Sequence, residues 1–315
     1  MAKKKRKNKM ILLIALLLAA AALAITVSEK TDGPLPTWEE LYTAVGITES
    51  QTNPEDILTV HFIDVGQGDS ILIQAPDGAM LIDAGERGNE QKMERYLRKY
   101  RIRKLDYVVA THPHSDHIGS MPAVLDSFAV SHILMPQLTQ SNTPTNTVYK
   151  NFLSAVQRSK KKGAEVLAAK PGITFSVGRA DCTVLSPKTQ TDDLNDMSVV
   201  LRVDWGSTSF LFMGDAGLQV EKELRNGEFA GKLNVDVLKV GHHGSSNASG
   251  QSFLTKVSPM YSVISCGKNN DYGHPHDATI QKLQKMNTTV LRTDEKGSIR
   301  VVSDGENLRW ESDHG

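Results

Sequence analysis

Cysteine is nearly absent: Cys182 and Cys266 are the only two in 315 residues. Neither lies in a metal-ligand or nucleophile motif, which argues against a cysteine zinc module or thiol chemistry. Both sit in strand-like runs, Asp181–Leu185 and Val263–Cys266, and read as buried free thiols, although an exported chain would also permit a disulfide. A basic excess is missing too. Lysine plus arginine and aspartate plus glutamate each number 36. Six of the cations (Lys3, Lys4, Lys5, Arg6, Lys7, Lys9) fall in the first nine residues, so the rest of the chain holds 30 basic against 36 acidic residues, net −6. A body that acidic does not suit broad, charge-driven nucleic-acid binding, and any grip on DNA or RNA has to be local. There is no short repeat, and no low-complexity segment beyond the leader.

What the chain does have begins at that basic start. An apolar run from Met10 to Leu18 continues through alanines to Val27, the pattern of a secretory signal or an uncleaved anchor. It is slightly short for a membrane span of about 20 residues, and Ala22-Leu23-Ala24 offers a small-x-small cleavage site. Export is expected, to the medium or to the outer face of the cytoplasmic membrane, with cleavage or anchoring both open. The secretion machinery or an N-terminal membrane contact would be its partner there, and no stable protein partner is expected. Residues 28–56 are polar, hold Pro34, Pro36 and Pro54, and read as a linker; 57–315 form the body, long enough to bury a full core.

The body alternates strand and helix signals. Strands are expected at 58–64, 70–74 and 79–83, the last two joined by the turn Pro76-Asp77-Gly78. A charged helix follows over 89–101, then a strand at Tyr107–Ala110, a helix over 118–128, a strand at 132–135 and an amphipathic helix over 148–162. The second half repeats the plan, with a hairpin of 197–205 and 207–213 around Gly206, a helix from Leu218, a strand at 235–240 and a C-terminal pair near 299–302. Two such halves predict an α/β architecture of two packed mixed sheets with helices outside.

The chemistry concentrates at strand ends. Thr111-His112-Pro113-His114-Ser115-Asp116-His117 places three imidazoles and a carboxylate within six residues. Neutral imidazole plus carboxylate is the donor set of zinc and similar divalent ions. His112 and His114 alternate and can converge on one ion, while Asp116 and His117 can serve a second. Phe210–Met213 ends in Gly214-Asp215, where the carboxylate either bridges two ions or caps a helix. Leu238–Val240 opens into Gly241-His242-His243-Gly244-Ser245-Ser246, and His242, nearer the strand end, is the preferred ligand of the pair. Tyr272-Gly273-His274-Pro275-His276 is a third cluster, able to contact a phosphate or metal, or simply a surface loop.

His112-x-His114-x-Asp116-His117, Gly214-Asp215 and His242 together resemble the metallo-β-lactamase superfamily signature. Asp64-Val65-Gly66-Gln67-Gly68-Asp69-Ser70, Leu81-Ile82-Asp83-Ala84-Gly85, Asn195-x-x-Ser198 and Gly273-His274-Pro275-His276 narrow that resemblance to the C-terminal domain of ComEC competence proteins, over about residues 57–305. The resemblance implies an αββα sandwich with two divalent ions, Zn²⁺ or Mn²⁺, at one edge. His112, His114 and Asn195 would serve the first ion, Asp116, His117 and His242 the second, with Asp215 between and Asp83 orienting the histidine loop. Asn195 stands where many members have histidine, so the first site is expected to be weaker or to prefer a harder ion. ComEC proteins are channels with many spans, whereas this chain has one apolar segment; it is expected to carry the hydrolase domain alone, without a DNA-transport role.

The expected function is a dinuclear phosphodiesterase or nuclease with nucleic acid, or another phosphodiester, as substrate. Asp116 and Asp215 would be catalytic, Asp215 helping to orient the nucleophile, and His243, His274 and His276 would protonate the leaving oxygen or hold the phosphate. Backbone N–H groups of Gly66–Asp69 and Ser245–Ser246 could face an anion. The competing readings are a carbonyl-ester hydrolase (lactonase, thioesterase or β-lactamase) and a decayed metal-binding domain.

Overall fold

A computed structural model describes residues 20–28, 31, 33–38, 56–188 and 190–314. The chain divides into two units, residues 1–51 with Arg95–Arg101, and Thr52–Glu94 with Ile102–Gly315. In the first, residues 20–28 are helical, Trp38 donates its indole N–H to Thr26 Oγ1 at 2.9 Å, and Arg95 donates to the Gly33 carbonyl at 2.6 Å. Among the described residues no helix is long and apolar enough to cross a membrane. Most of the expected leader (1–19) and of the linker (29, 30, 32 and 39–55) lies outside the described residues.

The second unit contains both sheets. In chain order its first half runs β1 (Leu58–Phe62), β2 (Ile71–Ala75), β3 (Gly78–Ile82), α1 (Glu90–Lys99, shared with the first unit), β4 (Lys104–Val109), α2 (Ser115–Ile118), α3 (Met121–Ser127), β5 (Ala129–Pro136), α4 (Thr147–Lys161) and β6 (Glu165–Ala169). Its second half runs β7 (Thr174–Val177), β8 (Ala180–Ser186), β9 (Val200–Trp205), β10 (Thr208–Phe212), α5 (Leu218–Asn226), β11 (Val237–Lys239), α6 (Gln251–Val257), β12 (Tyr261–Ile264), α7 (Asp277–Lys285), β13 (Thr289–Arg292), α8 (Thr293–Lys296), β14 (Ile299–Ser303) and β15 (Leu308–Ser312). One sheet has the order β15-β14-β1-β2-β3-β4-β5-β6, the other β13-β12-β11-β10-β9-β8-β7. Each is mixed: β3 to β6 and β10 to β13 are parallel runs, and the remaining pairs are antiparallel.

Period-two alternation explains the layering. On β10, Phe210 and Phe212 point into the core between the sheets, whereas Leu211 points outward beneath Val220, Leu224 and Phe253 of the helical layer. Phe62 of the first sheet meets Phe212 of the second with ring centroids 6.2 Å apart, each ring contributing about 1.5–3 kcal/mol by burial. Outside the first sheet, Arg158 of α4 grips Asp126 of α3 through two hydrogen bonds of 2.9 and 2.7 Å, and Asn146 caps α4 by accepting from the Tyr149 N–H at 2.9 Å. The result is the αββα sandwich expected from the sequence.

One expected element is broken. The helix expected over 118–128 is two short helices, α2 and α3. A Cβ on Gly119 would meet the Arg87 nitrogen at 2.5 Å, Ser120 donates to the Glu86 carbonyl at 2.6 Å, and Pro122 starts the new helix rather than continuing the old one. Close packing of the two segments at Gly119 overrides local helical preference. Cys182 and Cys266 are buried free thiols.

Candidate metal centre

The predicted ligands, with Asp83 behind them, gather at the edge where the parallel strands of both sheets end: Asp83 after β3, His112 and His114 in the loop after β4, Asp116 and His117 in α2, Asn195 between β8 and β9, Asp215 after β10, and His242 with its neighbour His243 after β11. Such an edge gathers side chains from several loops into one crevice.

Asp83 organises the histidine loop. One of its oxygens accepts the Thr111 N–H at 2.8 Å; the other accepts the Thr111 hydroxyl at 2.6 Å and His117 Nδ1 at 2.7 Å. With Nδ1 so engaged, His117 turns Nε2 inward, 3.3 Å from Asp215 Oδ1 and 3.9 Å from Asp116 Oδ2. His243 is held the same way. Its Nδ1 donates to the Ser265 carbonyl at 2.9 Å, and its Nε2 lies 3.3 Å from Asp116 Oδ2 and 3.4 Å from Asp215 Oδ1. Binding the outer nitrogen fixes the tautomer and aims the inner lone pair, as around metal-ligating histidines.

Two donor groups result, sharing Asp215. Asp116, His117, Asp215 and His243 offer ligand atoms within 4.8 Å of one another, and so do His112, His114 and Asp215. His112 Nε2 is 3.0 Å from His114 Nδ1 and 3.7 Å from Asp215 Oδ2. A third group, Asp69, Asp83 and His117, is equally tight, but Asp83 is committed to Thr111 and His117, and Asp69 Oδ2 to Lys239. The residues fit divalent ions. Asp215 Oδ1, His117 Nε2, His243 Nε2 and Asn195 Oδ1 are all buried without a hydrogen-bond partner, which costs about 1–3 kcal/mol per atom unless a cation or water satisfies it.

The electrostatics agree. Burial alone would lower His243, but Asp215, Asp69 and Asp116 beside it lift it to about 10. Burial likewise opposes, and the carboxylates Asp215, Asp83 and Asp116 outweigh, the charging of His117. Burial would raise Asp116 and Asp215, yet the neighbouring histidines hold both well below the usual carboxylate range. His112 goes the other way: burial and the nearby His117 push it well below an ordinary imidazole, so its lone pair is free near neutral pH. This edge calls for positive charge.

His242, the preferred ligand on sequence grounds, is not among the tightly grouped donors; His243 is. Both residues adopt left-handed backbone angles (φ 48° and 52°), a conformation that costs non-glycine residues free energy and concentrates at functional sites. Through this turn the side chain of His243 enters the site, 1% exposed, while that of His242 stays at the rim, 22% exposed and 3.7 Å from Asp215 Oδ2. His274 stands beyond them, its ring 6.1 Å from His243 and 5.5 Å from His242. Its Nδ1 is buried without a partner, and burial together with His243 and His242 pushes it down to about 4. His276 is turned to a structural task, its Nδ1 accepting the Ser246 N–H at 2.9 Å. Four of the backbone donors expected to face an anion are spent within the chain: Gly66 on Asp64, Asp69 on the Asp116 carbonyl, Ser245 on the His242 carbonyl and Ser246 on His276.

Sequence reasoning missed Lys239. Its side chain is fully buried, its Nζ 2.8 Å from Asp69 Oδ2 and 2.9 Å from the Val240 carbonyl. Burial would raise Asp69, but Lys239 and His243 bring it down to about 2. A lysine inside the apolar run 237–240 was the available signal, since a charge there requires a buried partner. Asp69 in turn adjoins the ligand loop, its N–H reaching the Asp116 carbonyl at 3.2 Å. The approach is so close that a Cβ on Gly68 would sit 2.1 Å from that same oxygen, at φ +127°. Ser198 is a second support, its hydroxyl accepting the Asp215 N–H at 3.0 Å.

Known proteins resemble this chain in sequence and fold. The chain is 32% identical over 260 residues to ComE operon protein 3 of Bacillus subtilis (strain 168), covering 76% of this chain and 32% of that protein. It is 30% identical over 248 residues to Recombination protein 2 of Haemophilus influenzae, covering 77% of this chain and 28% of the relative. The chain thus spans about a third of the length of these curated relatives. Among solved structures, the metallo-beta-lactamase fold protein YhfI from Bacillus subtilis aligns with a TM-score of 0.52 at 15% identity, over 79% of this chain and 100% of that one. The model of the metallo-beta-lactamase superfamily matches residues 63–268, and the chain belongs to that superfamily.

Proposed function

We propose that this metallo-hydrolase is a phosphodiesterase acting on nucleic acid outside the cytoplasmic membrane. The observation that carries the reading is the convergence of unpartnered buried donors at one sheet edge, a divided set with Asp215 common to both parts. In the proposal His112, His114, Asn195 and Asp215 hold one divalent ion, and Asp116, His117, His243 and Asp215 the other, with His243 taking the place expected of His242. Divalent ions so held act as Lewis acids toward phosphoryl oxygens and bring the ionisation of water toward neutral pH.

The chain's own residues do the positioning. Asp83 and the Ser265 carbonyl fix the two inward histidines, Ser198 fixes Asp215, and Asp69 with Lys239 braces the loop behind Asp116. His274, with an unpartnered Nδ1 at the rim, is the side chain placed to hold a substrate oxygen, while His276 supports the loop. The relatives' names, competence and recombination proteins, favour nucleic acid as the diester. Residues 1–27 are the export leader in this reading, 28–56 the linker and 57–315 the catalytic body.

The test is hydrolysis of single-stranded DNA, RNA and a bis-aryl phosphate by chelator-stripped protein after Mn²⁺ or Zn²⁺ is returned. Turnover should reappear with metal and vanish in D116A and D215A. If metal restores no diester cleavage, the reading fails, and turnover of nitrocefin or a lactone instead would assign carbonyl chemistry.

A further inference from the structure

Beside the metal centre, the loop between β12 and α7 leaves one large aromatic in the open. Tyr272 is 66% exposed, yet it is not loosely attached. Its ring stacks on His274 with centroids 5.6 Å apart and planes 17° apart, and His274 neighbours both His242 and His243. Asn270 fixes the loop from within. Its amide donates to the Gly267 carbonyl at 2.9 Å and the His274 carbonyl at 2.5 Å, and its oxygen accepts the N–H groups of Tyr272 and His274 at 3.1 and 3.0 Å. An open cleft of about 500 Å³ adjoins this loop, lined by Lys268, Asn270, His274 and Arg292 among others.

A ring covered on one face by an imidazole and open on the other is built to receive a second flat group. The acidic body adds a reason. With a net charge of −6 outside the first nine residues, general attraction to phosphates is weak, so affinity must come from a local contact that charge does not govern. Base stacking on an aromatic side chain is such a contact, and it tolerates any base.

We propose that Tyr272 is the stacking platform for the nucleobase beside the scissile phosphate, so that single-stranded nucleic acid bearing bases is preferred over base-free phosphodiesters. This rests on the phosphodiesterase reading above. His274 then serves two neighbours, standing beside His242 and His243 at the metal centre and giving its face to Tyr272.

The test compares a fluorescent six-thymidine strand with an abasic strand of equal length, each titrated against the full chain in chelator and read by anisotropy. Wild-type protein should bind the thymidine strand about 5- to 150-fold more tightly than the abasic one. Y272F should keep that ratio, and Y272A should bring it close to one. A wild-type ratio of one, or an undiminished ratio in Y272A, overturns the platform. With metal restored, the loss in Y272A on the thymidine strand should appear in KM rather than in kcat; a loss confined to kcat also overturns it. If wild-type protein cleaves no diester at all, the phosphodiesterase reading falls and takes the platform with it. Cleavage with a wild-type ratio of one sinks the platform alone.

Discussion

Lys239 Nζ lies 2.8 Å from Asp69 Oδ2, with the two side chains 0% and 2% exposed. The pair joins β11 of one sheet to the β1–β2 loop of the other. Removing one partner leaves the other charge buried and unanswered, which costs about 3–5 kcal/mol. K239M is therefore expected to lose stability on that scale, and K239M/D69N to recover most of it. Urea denaturation of the wild type, both single variants and the double variant measures this directly; additive losses would show that the pair is not coupled.

The two adjacent histidines make separable predictions. H243A should lose an equivalent of bound metal after reloading and dialysis, and H242A should keep the wild-type stoichiometry. Elemental analysis of the two variants decides between them. The opposite pattern would return the ligand role to His242.

Asp83 touches no expected ion, yet it holds Thr111 and His117 through three hydrogen bonds. D83N cannot accept all of these and presents an N–H toward one donor. Metal affinity, measured by competition with a chromophoric chelator, should fall about 10- to 100-fold, with the fold retained by circular dichroism.

Glu221 of α5 supplies a pH dependence of its own. Burial pushes its carboxyl from 4.5 up to about 7, against the pull of the Gly250 and Ser249 N–H groups and Lys282. The folded value lies above the unfolded one, so the contribution to stability is complete below pH 4.5 and is lost as pH rises through 7. The swing is about 3 kcal/mol. The stability of E221Q relative to wild type should therefore rise between pH 4.5 and pH 8, as read from paired denaturation curves; parallel pH profiles would refute it.

Much of this was legible because the signals were local. A continuous apolar run, Phe210 to Met213, marked β10, and the spacing of His112, His114, Asp116 and His117 at a strand end announced metal chemistry without any tertiary information. What stayed hidden depended on the backbone or on distant partners. The choice between His242 and His243 turns on left-handed angles that neither residue type signals. Asp69 and Lys239 are 170 positions apart and meet only when the sheets pack. The break between α2 and α3 follows from Gly119 lying against Arg87, a contact that helical propensity does not contain.

The division of donors between the sheets has a thermodynamic consequence. His112, His114, Asp116 and His117 hang from the sheet containing β4, whereas Asp215 and His243 hang from the one containing β10 and β11. An ion held by both sets is a clasp between two layers that also meet through apolar packing and the Lys239–Asp69 pair. Its binding energy is then also cohesion energy, about 2.7 kcal/mol when free metal stands at a hundred times its dissociation constant. With ions bound as proposed, ambient metal concentration would set how firmly the sandwich is closed.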